Sequence, residues 1–193
     1  ESRLLLDQLA YLNHHRIFDL RIMPTPAYLE MAMALSEQAG IGVSANGRGW
    51  DISDVRIEEA LILTEKEPIR VQTIFTPGGP GMGECRFFSG SSSGHGVEWR
   101  RHATCRIQNP INGSVAPRGL DLNEMRMRCA TEVPVDEFYN NLQDLGLVFG
   151  SAFRGVRRIW QGDHEALGEM SIPDELAQDE KNYRFHQALL DTC

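Results

Sequence analysis

Apolar positions in residues 25–39 recur too densely for a one-sided helix. Ala27, Tyr28, Leu29, Met31, Ala32, Met33, Ala34 and Leu35 cover most of the circumference, and such a helix is stable only where protein surrounds it on most sides. Its ends are marked as well: Thr25 can cap, Pro26 suits the first turn, and Gly40 suits the exit. A curved sheet wrapped around one long helix meets that demand.

Strand signals follow. Ile52, Val55 and Ile57, then 61–63, then Ile69, Val71, Thr73 and Phe75 form short segments separated by turn residues around Pro68 and at 77–80. The clearest alternation sets Val97, Trp99, Arg101, Ala103, Cys105 and Ile107 on a largely apolar face. Glu98, Arg100, His102, Thr104 and Arg106 fall on the polar one. The Ser- and Gly-rich stretch 90–96 reads as a loop.

Residues 108–120 hold Asn, Pro and Gly without apolar periodicity, which predicts a linker, placed at 111–120. The pattern then restarts. Residues 135–145 form a helix with Phe138, Leu142 and Leu145 on one face and Gly146 at its end. Strands are expected at 153–161 and 165–172, and 186–193 reads as the opening of another buried helix. One helix-and-sheet unit, 1–110, is thus followed by part of a second, 121–193.

Composition narrows the function. A net charge of -8, with Lys and Arg scattered, has the wrong sign for a phosphate backbone, so nucleic acid is not expected as a partner. No apolar run approaches the roughly 20 residues of a membrane span, and no leader-like segment opens the chain. A cytoplasmic protein with no membrane partner is the expectation. Cys85, Cys105, Cys129 and Cys193 stand far apart without a C-x-x-C pair, which points to reduced thiols. The chain begins at Glu1 and stops at Cys193 straight after an apolar run, so it reads as an excerpt from a longer protein.

Three stretches carry a resemblance. His15 to Pro24, running on into Tyr28-Leu29-Glu30-Met31-Ala32, resembles the H-x-x-x-G-x-x-x-x-P signature of the dehydratase domains of type I modular polyketide synthases. Gly146 to Phe153 is similar to their G-x-x-Y-G-P-x-F motif, and His186 to Asp191 to their H-P-A-L-L-D motif. Residues 99–107 resemble the family strand between them. The resemblance implies an α+β double hot-dog fold, two curved antiparallel sheets each wrapping a central helix, incomplete here at both ends. It also implies an active site between the halves, with the catalytic His on the first and the catalytic Asp on the second.

The implied reaction removes water from a 3-hydroxyacyl thioester held on the phosphopantetheine of an acyl carrier protein. No cofactor of the domain's own is expected; neighbouring synthase domains and a second copy, as a homodimer, are the other expected partners. Dehydration needs a base for the C2 proton and an acid for the departing 3-hydroxyl. By resemblance these are His15 and Asp191. An imidazole of ordinary basicity is largely neutral near pH 7 and can accept a proton. A carboxyl group of ordinary acidity is ionised there, so the acid role calls for apolar shielding, which Ala188, Leu189 and Leu190 can supply, or for a hydrogen bond. The developing oxyanion is assigned to the helix start near Pro24 and Tyr28, since a helix N-terminus favours negative charge. Asp19, Phe149 and Gly150 complete the expected substrate-positioning set.

Taken without the motif, adjacent histidines are more often surface groups than catalysts, and His14 is read that way, as His186 is read as a cap or core residue. No H-x-x-x-H or cysteine cluster accompanies His15, Asp19 and Asp191, so no metal is expected. The sequence departs from the family pattern at Asp19 (Gly), Phe149 (Tyr), Ser151 (Pro) and Gln187 (Pro). Asp tolerates the backbone shapes of Gly only in part, and Phe149 lacks a hydroxyl. Two rivals to a competent dehydratase therefore stay open. One is an altered domain that shifts a double bond or closes a ring; the other is a silent domain kept for structure or carrier docking.

Overall fold

The structure is a computed structural model that describes residues 1–193 except 42, 45–46, 66, 94–95 and 111–120. The expected linker at 111–120 thus lies outside the described residues. In chain order the strands are β1 (Ser2–Leu4), β2 (His15–Ile17), β3 (Leu20–Arg21), β4 (Val43–Ser44), β5 (Gly47–Arg48), β6 (Asp51–Ile57), β7 (Ile69–Gly79), β8 (Met82–Ser93) and β9 (Gly96–Gln108). They continue with β10 (Thr131–Val133), β11 (Leu147–Phe149), β12 (Val156–Gln161) and β13 (Ala166–Met170). The α-helices are α1 (Thr25–Gln38), α2 (Leu122–Arg128), α3 (Val135–Asp144) and α4 (Gln187–Asp191).

Contacts divide the chain into two compact units, Glu1–Leu12 with Arg21–Ser114, and Asn13–Leu20 with Val115–Cys193. The sequence reading runs its first half unbroken over 1–110. In the structure 13–20 goes with the second unit, because β2 pairs antiparallel with β11, with Phe149 opposite His15.

In the first unit an antiparallel sheet in the order β1-β7-β8-β9-β6 packs on α1 through β7 and β9. Val71, Cys85, Phe87, Ala103, Cys105 and Ile107 are buried along it, and the Tyr28 ring meets Phe87 at 5.2 Å. From Pro26 to Glu37 no position of α1 is exposed, which is the surrounded helix that its all-round apolar pattern requires. Full burial of a large apolar side chain contributes about 1.5–3 kcal/mol. Ala32 is wholly buried, so a larger side chain there would have to displace its neighbours.

Several expectations need correction. The N-cap of α1 is Pro24 with extended backbone (φ −68°, ψ 147°), and Thr25 is already helical and makes no cap bond. Strand β7 runs past Pro77 to Gly79, so the turn shrinks to Pro80 and Gly81, the latter with φ 70°. The loop expected at 90–96 is strand up to Ser93, paired with β9. Small residues there have a physical cause: a Cβ on Gly90 would stand 2.8 Å from Val97 Cγ1 and 3.0 Å from Trp99.

Strict alternation in β9 fails at one residue. Ala103 pairs with Phe87 but Arg101 with Phe88, which leaves His102 as the extra residue of a β-bulge. Arg101 is consequently exposed and His102 buried, the reverse of the predicted faces.

In the second unit β10-β12-β13 form an antiparallel sheet, and α3 is tied to it by the Tyr139 hydroxyl, which accepts the Val156 N–H at 3.2 Å. Tyr139, not Leu145, is the buried residue of α3; Leu145 is exposed because the helix has ended there and Gly146 (φ 85°) turns the chain into β11. Helix α2 is capped by Asp121, whose carboxylate accepts from Asn123 N–H at 2.8 Å and Glu124 N–H at 3.3 Å. Among the described residues no helix is long and apolar enough to cross a membrane.

Candidate active site

The second unit brings His15 and Asp191 together. His15 opens β2, at the end of the β2–β11 ladder, and Asp191 closes the short helix α4. His15 Nε2 lies 3.4 Å from Asp191 Oδ2, with the side chains only 9% and 15% exposed. That is too long for a strong charge-assisted hydrogen bond of about 2.7–2.9 Å.

Two aromatic rings wall the imidazole. Phe149 lies at 5.5 Å and Phe153 at 5.2 Å between ring centroids, and the two phenyl rings stack on each other at 6.3 Å. Phe149 gets there as the ladder partner of His15. Phe153 gets there through the 3-10 turn Ser151–Phe153 that follows Gly150. Sequence reasoning placed Phe149 in the site but not Phe153, although the last position of the second motif was the available signal.

Gly150 holds the two strands in close approach. Its N–H donates to the His14 carbonyl at 2.8 Å, and a Cβ on it would stand 2.7 Å from His14 Cγ. His14 is itself a clasp: its Nδ1 accepts the Ala152 N–H at 3.2 Å, with Ser151 Oγ at 3.4 Å and Glu175 Oε1 at 3.7 Å. An acceptor Nδ1 carries no proton, so His14 orders the turn that bears Phe153. The capping reading of His186 also holds, since its Nδ1 accepts the Ala188 N–H at 3.2 Å at the start of α4. Thr192 closes the other end by donating to the Ala188 carbonyl at 2.7 Å.

Asp19 is not part of this cluster; it is exposed in the β2–β3 turn. The strained conformation expected from its place in the signature falls on Phe18 instead (φ 52°), whose N–H donates to the Gly146 carbonyl at 2.5 Å. Pro24 and Tyr28 belong to the first unit. Pro24 is fully buried at the start of α1, and Tyr28 is 2% exposed with a hydroxyl that has no hydrogen-bond partner among the described residues. Among those residues, too, no group of three or more His, Cys, Asp or Glu is placed to hold a metal.

A family model described as "Polyketide synthase dehydratase domain" matches residues 1–90, and one described as "Polyketide synthase dehydratase N-terminal domain" matches residues 117–193. The chain belongs to the polyketide synthase dehydratase family. Among relatives of this dehydratase domain, polyketide synthase GfsA of Streptomyces halstedii is 26% identical over the whole chain, which spans 2% of that protein. The spectinabilin polyketide synthase system protein NorA of Streptomyces orinoci is 29% identical over 95% of the chain, which spans 9% of it.

Solved structures agree with the double hot-dog fold. The dehydratase domain from the CurF module of curacin polyketide synthase matches with a TM-score of 0.85 at 30% identity, covering 99% of this chain and 66% of that one. The CurK dehydratase matches at 0.85 and 27% identity as an Asp-to-Asn inactive mutant, and at 0.86 and 26% as a His-to-Phe inactive mutant. This chain covers 65% of each, so it is a part of such a domain.

Proposed function

We propose that this dehydratase domain removes water from a 3-hydroxyacyl thioester carried on an acyl carrier protein, with His15 as base and Asp191 as acid. The observation that carries the reading is the His15–Asp191 pair at 3.4 Å, shielded from solvent and walled by Phe149 and Phe153. In the CurK dehydratase a His-to-Phe and an Asp-to-Asn variant are inactive, which supports a His and an Asp as the working pair in that relative.

The chemistry follows from where the protons must go. His15 Nε2 takes the C2 proton, electrons shift to form the C2–C3 double bond, and Asp191 protonates the C3 hydroxyl, which leaves as water. Apolar walls keep bulk water from competing for the proton. As the resemblance implies, the oxyanion role goes to the first turn of α1, with Pro24 and Tyr28, and substrate positioning to Phe149 and Gly150; Asp19, exposed in the β2–β3 turn outside this cluster, is given none.

Mass spectrometry of a 3-hydroxyacyl group on a carrier protein, incubated with the domain extended to its full length, tests the proposal. Loss of water supports it. An isomerised or cyclised product would favour the altered lyase, and a folded domain without turnover the silent one.

A further inference from the structure

We propose a second reactive site in the first unit, a Ser89–His102 pair that takes up an acyl group from an acyl thioester. The bulge in β9 turns His102 off the exposed face, so that its ring lies between two groups. Nε2 is 2.7 Å from Ser89 Oγ, and Nδ1 is 3.1 Å from the Glu59 backbone carbonyl. A carbonyl only accepts, so the proton sits on Nδ1 and the Nε2 lone pair faces the serine hydroxyl. Nucleophile, base and an orienting group behind the base are therefore in line, the arrangement that activates a serine.

The segment supplying that carbonyl is itself fixed. The His102 carbonyl accepts from Glu58 N–H at 2.8 Å and Glu59 N–H at 3.2 Å, and Glu59 Oε1 receives Arg100 at 2.7 Å. Bulges are common beside active sites because they re-aim one side chain. Here the re-aimed ring and Ser89 both line a cavity of about 760 Å³, shared with Leu61, Ile62, Trp99 and Arg3. Its lining mixes these apolar side chains with charged ones such as Glu59, Arg70 and Arg100, a combination that can receive an acyl group together with the polar arm that carries it.

The step balances without a further reagent. Ser89 Oγ attacks the thioester carbonyl as His102 Nε2 takes its proton; the C–S bond breaks, and the leaving thiolate receives that proton, giving an acyl-serine and a free thiol. Ser89 pairs with Val71 on one side and Arg100 on the other, which commits its backbone to the sheet. The step proposed is this single acyl transfer to Ser89.

Incubation with a fluorophosphonate, and separately with an acetyl N-acetylcysteamine thioester, followed by peptide mass spectrometry, tests it. One adduct is expected, on Ser89, absent from Ser89→Ala and formed about a hundredfold more slowly in His102→Gln. Ser91 and Ser92, exposed on the same strand and lining the same cavity, are the internal control in the unaltered protein. No adduct, or equal labelling of Ser91 or Ser92, overturns the proposal whether or not the variants fold. None of these outcomes bears on His15 and Asp191.

Discussion

Phe149 stands directly opposite His15 in the β2–β11 ladder, with its ring 5.5 Å from the imidazole. The contact is both packing and environment, since the same ring stacks with Phe153 and the two lie together against the imidazole. Replacing Phe149 with Ala is expected to cost about 2 kcal/mol of stability, the low end for large-to-small changes because the residue is only half-buried. Turnover should fall by about tenfold or more as the imidazole loses its support. Phe149→Tyr keeps the ring and should hold stability within about 1 kcal/mol of the parent. Urea denaturation and the dehydration assay separate the two effects.

Gly150 is required for its lack of a side chain. A methyl group there would meet His14 Cγ at 2.7 Å and Cβ at 2.8 Å, atoms near the backbone that cannot swing away. Gly150→Ala should therefore destabilise the domain by about 1–3 kcal/mol. Its effect should reach the site through the His14 clasp on Ala152, which orders the turn bearing Phe153. A variant as stable as the parent in urea would remove the clasp from the account of the site.

The central helix and the two motifs that bring His15 and Asp191 together were legible in the sequence because each rests on local signals: composition around Ala27 to Leu35, and spacing around His15 and Asp191. Strand β8 was not, because Met82–Ser93 mixes Gly and Ser with Phe87 and Phe88 and gains its strand character from two neighbours, β7 and β9. The faces of β9 were misread from Arg101 to His102 because a bulge is set by partner register, which one strand's alternation does not record. The grouping of 13–20 with the second unit was equally hidden, since it depends on pairing with β11, more than 100 residues away.

Tyr28 offers a test that tells a structural from a functional hydroxyl. Burial pushes its phenol well above the ordinary value, and its oxygen has no hydrogen-bond partner among the described residues. An unpaired buried hydroxyl costs stability, so Tyr28→Phe should be neutral or stabilising by up to about 1 kcal/mol. If the hydroxyl contacts substrate, KM should rise while stability does not fall. A clear loss of stability would show that the oxygen is paired in solution.

Arg128 and Glu165 form a bidentate pair, Nε to Oε1 at 2.6 Å and the second guanidinium nitrogen to Oε2 at 2.9 Å. The hydrogen bonds from Arg128 hold the Glu165 carboxyl below its ordinary value. A depressed folded-state value means the pair stabilises the protein above the unfolded carboxyl range, near pH 4.3, and loses that effect as pH falls through the lower folded value. Glu165→Gln should therefore lower Tm slightly at pH 7, with the difference closing as the pH drops below about 4. Because the pair is exposed, high salt should shrink the difference as well. A Tm gap that persists in acid would point to packing instead.

The sharpest test of the proposed chemistry is a double substitution at His15 and Asp191. His15→Ala removes the base and Asp191→Asn an acid, since an amide oxygen cannot give up a proton as a carboxylic acid does. Each alone should lower turnover by about 10²–10⁴-fold, the range for one acid–base group. If both act on the same substrate in one elimination, the double variant should be little worse than the weaker single one, because neither group works without the other. Independent roles would instead multiply the losses. Folding must be checked separately: His15 packs against both Phe149 and Phe153, so Ala there also leaves a cavity. His15→Gln fills more of that space and keeps a hydrogen-bonding end toward Asp191, yet has no imidazole to accept the C2 proton. A His15→Gln domain that is as stable as the parent and still dehydrates at near-normal rate would remove His15 from the mechanism and leave the 3.4 Å pair as a structural contact.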